Sequence, residues 1–80
     1  PIGAYQVAQA HAWRGDADQA FAWLDRAAKQ EDAGLMQLRF DPMMRRLHGD
    51  ARYRAWLLRL KLDDDALARI GMAGPPARKP

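Results

Sequence analysis

Cysteine, serine and threonine are all missing from this 80-residue chain. Without thiols there is no disulfide and no thiolate metal site. Without serine and threonine, the usual hydroxyl nucleophiles are gone, and kinase acceptors reduce to Tyr5 and Tyr53. Histidine is scarce: His11 and His48 are the only two, and a zinc site needs more ligands than they supply. No apolar run approaches the roughly 20 residues of a membrane span, and no signal-peptide pattern opens the chain. These absences lead us to expect no catalytic residues, no metal, no cofactor and no membrane partner, hence not an enzyme. A cysteine-free chain suits a reducing compartment, so the expected location is cytoplasmic. The opening Pro1-Ile2-Gly3 carries no initiator Met, which suggests a piece of a longer protein.

Hydrophobic residues make up 49% of the chain, enough for a core and too many for a disordered segment. A chain this short buries only about 60% of its unfolded surface, so one domain is expected, with little stability to spare. The net charge of +3 is unevenly spread. Residues 1–38 carry three basic against five acidic side chains, and residues 39–80 carry ten against five. Such a split implies two units, or one unit with a polar axis.

The hydrophobic periodicity is helical throughout, with no strand alternation, so the expected fold class is all-α. Ile2 to Trp13 reads as a helix with Ala4, Val7, Ala8 and His11 on one stripe. Gly15 closes it, and Asp16 or Asp18 caps a second helix from Ala17 to about Lys29. With about three residues between them, the two form an antiparallel hairpin. Leu35 to Phe40 is ambiguous and reads as one irregular turn. Asp41-Pro42 starts a short helix containing Met43, Met44 and Leu47, with the two methionines as core filling. Asp50 caps a further helix whose Tyr53, Trp56, Leu57 and Leu60 form an apolar stripe. Asp63 to Asp65 cap a last short helix; they lack the spacing of a calcium loop. The organisation expected is a hairpin over residues 1–33, a C-terminal helical cap over 34–72 and a mobile tail over 73–80.

Within the second helix, Ala20, Ala27 and Ala28 interleave with Phe21, Trp23 and Leu24. Small residues at helical spacing allow two helices to approach closely, with large ones filling the flanks. The run G-D-x-x-x-A-F-x-x-L-x-x-A, from Gly15 to Ala27, together with Ala8 in the first helix, resembles a tetratricopeptide repeat (TPR). That family builds hairpins of about 34 residues that stack into solenoids. His11 stands where the family places an aromatic, Ala4 replaces an early large aromatic, and Asp32 replaces a terminal proline. Residues 38–60, with their D-P turn and G/D-x-R-aromatic start, resemble the helices that often follow the last repeat in bacterial proteins. The resemblance implies a terminal repeat plus a capping unit, and a role in binding other proteins.

The first helix has a second face, with Ile2, Tyr5, Gln9, Ala12 and Trp13 within about 100° of arc. In the resembling family this side lines a peptide groove, which would make Tyr5, Gln9 and Trp13 partner-binding residues. The Lys/Asn/Arg set with which some such repeats hold a terminal carboxylate is absent, because Tyr5, Gln9 and Trp13 occupy those places. The competing reading has the Trp56 helix folding back over this face, and the need of a short chain for burial favours it.

The basic half, including Arg39, Arg45, Arg46, Arg52, Arg54, Arg59 and Lys61, is interleaved with Tyr53 and Trp56, as in a nucleic-acid binder. Because both aromatics sit on the apolar stripe, the charges read as a solvated face. Arg45, Arg46 and Arg52 are then candidates for an acidic protein partner rather than specific nucleic acid. The expected function is protein–protein interaction, as a scaffold or adaptor. A basic nucleic-acid-associated module and a non-catalytic helical region of an enzyme are the alternatives.

Overall fold

The computed structural model describes residues 3–71, all of whose regular elements are helical. The α-helices are α1 (Ala4–Trp13), α2 (Ala17–Lys29), α3 (Ala51–Leu60) and α4 (Asp64–Arg69). Between α2 and α3 run two 3₁₀ helices, Ala33–Phe40 and Pro42–Leu47. The all-α expectation holds. Ile2 and the expected tail over 73–80 lie outside the described residues.

The α1–α2 turn follows its sequence signals. Gly15 adopts a φ of +83°, the left-handed conformation that glycine takes without a Cβ clash. Asp16 then caps α2, its carboxylate accepting the Gln19 N–H at 3.2 Å. Ala20, Leu24 and Ala27 of α2 are fully buried against α1, whose Ala4, Ala8 and Ala12 are buried in turn. Val7 and His11, expected on the packing stripe, are only partly buried, whereas Tyr5 and Ala12 are enclosed. The buried arc is wider than the stripe because α1 is covered on two sides, by α2 and by the 3₁₀ helices.

The segment between α2 and α3 departs most from expectation. Residues 33–40 form a 3₁₀ helix rather than an irregular turn, with Leu35 and Leu38 buried. The helix after Asp41-Pro42 is also 3₁₀, and buries Met44 and Leu47. Side chains three apart eclipse in this geometry, so each short helix presents a narrow apolar edge to the core. It is these 3₁₀ helices that pack against α1, not the Trp56 helix. α3 instead lies on the first 3₁₀ helix, where the Tyr53 hydroxyl donates to the Leu38 carbonyl at 3.4 Å. Tyr53 and Trp56 are buried, and Leu57 and Leu60 pack at the margin of the core. Leu62 and Leu67 complete it.

Candidate functional site

The expected partner-binding face of α1 divides in two. Tyr5 is only 2% exposed and cannot anchor a partner from an open groove. Its ring lies under Gly34 so closely that a Cβ there would fall 2.9 Å from the Tyr5 ring carbons. The Tyr5 hydroxyl donates to Asp41 Oδ2 at 2.7 Å, and Gln9 Nε2 donates to the same oxygen at 2.6 Å. Asp41 Oδ1 accepts the Met43 N–H at 2.9 Å, capping the second 3₁₀ helix. Burial works to raise the Asp41 pKa, but the hydrogen bonds from Tyr5, Gln9 and Met43 outweigh it, so the carboxyl sits below its ordinary value. Burial, reinforced by the bond to Asp41, pushes the Tyr5 hydroxyl well above its own. Tyr5 and Gln9 are therefore committed to holding the 3₁₀ helices on α1.

Trp13 behaves oppositely. At the last turn of α1 its side chain is 62% exposed, which overturns the expectation that the C-terminal helices cover it. The core closes around Tyr5 and Ala12 but leaves out the indole, which meets the outward side of the second 3₁₀ helix rather than its buried Met44/Leu47 edge. Trp13 instead forms one wall of a surface groove of about 530 Å³, with Pro42, Met43, Arg45 and Arg46 as the rest of the lining. Met43, read as core filling, is only partly buried; Met44 alone takes that role. The Arg46 guanidinium reaches toward the α1–α2 turn beside Gly15. Neither Arg45 nor Arg46 has an ion-pair partner among the described residues.

Arg52, the remaining candidate, does not join this group. It grips Asp50 through Nε (3.1 Å) and Nη2 (2.8 Å), pairs with Asp18 at 3.0 Å and stacks on Phe21 at 4.6 Å. The Asp18 and Phe21 contacts tie α3 to α2. Arg39 is similarly engaged, donating to the Leu62 carbonyl and to Asp64, and Arg59 lies over Trp56 at 4.4 Å, 3.9 Å from Asp25. A smaller cavity of about 330 Å³ is lined by Arg39, His48, Tyr53 and Asp64 among others, but its Arg39 and Asp64 already neutralise each other.

Of the residues that line the Trp13 groove, Pro42 and Met43 were missed at the sequence level. Their signal is the three-residue period in Pro-Met-Met-Arg-Arg-Leu, which an α-helical reading overlooks. No described helix is long and apolar enough to cross a membrane, and no described acidic or histidine cluster has the makings of a metal site. No family model, no curated protein and no solved structure matches the chain.

Proposed function

We propose that this chain is a protein–protein interaction module, a scaffold or adaptor unit at the end of a longer TPR-type protein of the bacterial cytoplasm. The observation that carries the reading is the exposed Trp13, set in an apolar groove beside two arginines without counter-charges. Tryptophan and arginine dominate binding hot spots, and a small domain gains nothing in stability by leaving an indole in water. The small-residue packing of Ala8, Ala20 and Ala27 supports the repeat-like hairpin.

Nucleic acid is the poorer match. Tyr53 and Trp56 are in the core and offer no stacking surface, and Arg39, Arg52 and Arg59 are engaged with carboxylates of this chain. Binding to duplex DNA or RNA is expected to be no tighter than about 10⁻⁴–10⁻⁶ M at physiological salt, the ordinary non-specific range. Nanomolar binding in that titration would favour the nucleic-acid reading. The direct test places a photo-crosslinking amino acid at position 14, the exposed neighbour of an intact Trp13, in the full-length protein in its native cell. A discrete crosslinked protein, competed away by excess unlabelled chain, is the expected result. Only diffuse background would count against a binding module.

A further inference from the structure

The backbone of the second 3₁₀ helix gives the Trp13 groove a defined chemical pattern. One turn takes three residues, so Pro42–Leu47 has three edges. Met44 and Leu47 share the first edge and are completely buried. Pro42 and Arg45 share the second, Met43 and Arg46 the third, and all four line the groove with Trp13. Each outward edge thus carries an apolar side chain followed, one turn on, by an arginine. At about 2.0 Å per residue, the apolar and cationic ends lie about 6 Å apart along the helix. The two carboxylates that flank the arginines in sequence are both engaged elsewhere, Asp41 inward with Tyr5 and Gln9 and Asp50 with Arg52.

We infer that the occupant of this groove is an extended acidic segment of a partner protein, with a large apolar side chain and a carboxylate two residues apart. In an extended strand, residues i and i+2 project to the same side about 6.6 Å apart, which matches the span between the groove's two ends. The apolar side chain lies against the Trp13 indole, Pro42 and Met43, and the carboxylate accepts guanidinium N–H groups of Arg45 and Arg46. A single-stranded nucleic acid offers phosphate to the arginines and a base to the indole but no aliphatic group for Pro42 and Met43, and an oligo-dT control separates the two occupants. This inference rests on the reading of the chain as a protein-binding module and specifies its ligand.

The test titrates the full chain with short fluorescein-labelled peptides in a Gly/Ser background. The reference peptide contains Leu-Gly-Glu. Its controls replace Glu by Gln, replace Leu by Ala, or make Leu and Glu adjacent; single-stranded oligo-dT is the nucleic-acid control. Each peptide change is expected to weaken binding at least about tenfold. The Arg45→Gln/Arg46→Gln double variant should erase the preference for Glu over Gln. Trp13→Ala should erase the preference for Leu over Ala. All three side chains are exposed, so both variants should keep the wild-type circular dichroism. The inference is overturned if the Gln peptide or the adjacent-residue peptide binds within about twofold of the reference, if oligo-dT binds more tightly, or if no peptide binds at millimolar concentration. A discrete crosslink from position 14 alongside such a failure removes the ligand motif and leaves the module standing. Failure of both experiments removes both.

Discussion

At the residue scale, two aspartates each join α1 to a segment distant in sequence. Asp32 Oδ1 accepts the Gly34 N–H at 2.8 Å and so starts the first 3₁₀ helix, while Oδ2 accepts the Tyr5 N–H at 3.1 Å in the first turn of α1. Asp41 repeats the device, capping the second 3₁₀ helix and receiving Tyr5 and Gln9. Helix N-termini leave unpaired N–H donors, and a carboxylate with two oxygens can serve donors on two elements at once. Trp13 stands outside this network. Trp13→Ala should therefore change stability by no more than about 0.5 kcal/mol, whereas Leu47→Ala, from a fully buried site, should cost about 2–5 kcal/mol. Thermal melts of the two variants measure the contrast. A large loss for Trp13→Ala would mean that the indole is packed rather than exposed.

At the scale of elements, the α1–α2 hairpin and the 3₁₀ pair are built by opposite means. The hairpin relies on small side chains: Ala8, Ala12, Ala20 and Ala27 are all fully buried, so the two helices approach closely. Ala20→Leu should overpack that contact and cost about 1–3 kcal/mol, while Ala22→Leu, on the exposed face of the same helix, should cost far less. Equal melting temperatures would refute close helix packing at Ala20. The 3₁₀ pair relies on larger side chains at three-residue spacing, namely Leu35 and Leu38, then Met44 and Leu47. Glycine has a specific role here, because Gly34 is where backbone passes directly over the Tyr5 ring. A narrow buried edge leaves two edges of Pro42–Leu47 outside the core, and the groove is made from those.

At the scale of the whole molecule, the uneven charge becomes an internal fit. Asp18 and Asp25 of α2 are seven residues apart, as are Arg52 and Arg59 of α3, and the pairs face each other. Seven residues are close to two helical turns, so the acidic first half and the basic second half meet along one seam. All four charges are substantially exposed, and their contribution is one of alignment more than stability. The pH dependence arises elsewhere. Asp41, and Asp50 with its pKa lowered to about 2 by its bonds to Arg52, both sit below the unfolded value of about 3.9. Their stabilisation is complete above that value and is lost as pH falls through the folded pKa. The Tyr5 hydroxyl has the opposite sense: raised in the folded chain, it favours folding below about pH 10 and loses that contribution as pH rises further. Denaturant melts across pH should show Asp41→Asn less stable at neutral pH by about 1–3 kcal/mol, with a flatter acid limb. Tyr5→Phe should flatten the alkaline limb. An unchanged acid limb in the Asn variant would show that Asp41 is not held as the buried carboxylate described.

The sequence by itself determined the α-helices and most of their ends, because these depend on local chemistry. Gly15 relieves a left-handed turn, Asp16 and Asp50 cap the helices that follow them, and the periods of α2 and α3 select Ala20, Leu24 and Ala27, and Tyr53 and Trp56, all buried. It also marked Trp13, Arg45 and Arg46 as candidates, though without showing that they share a groove or that Tyr5, Gln9 and Arg52 do not join them. Tertiary structure alone decided that division. A tyrosine and a tryptophan on one helical face are alike in pattern, and what separates them is whether they meet the buried or the outward side of a covering element. Here that element is a pair of 3₁₀ helices with a period of three, held to α1 by hydrogen bonds that span 27 to 36 residues of sequence. Such bonds leave no periodic trace in a sequence. They form only once packing has brought Asp32 and Asp41 against the first helix, enclosing Tyr5 and leaving Trp13 in water.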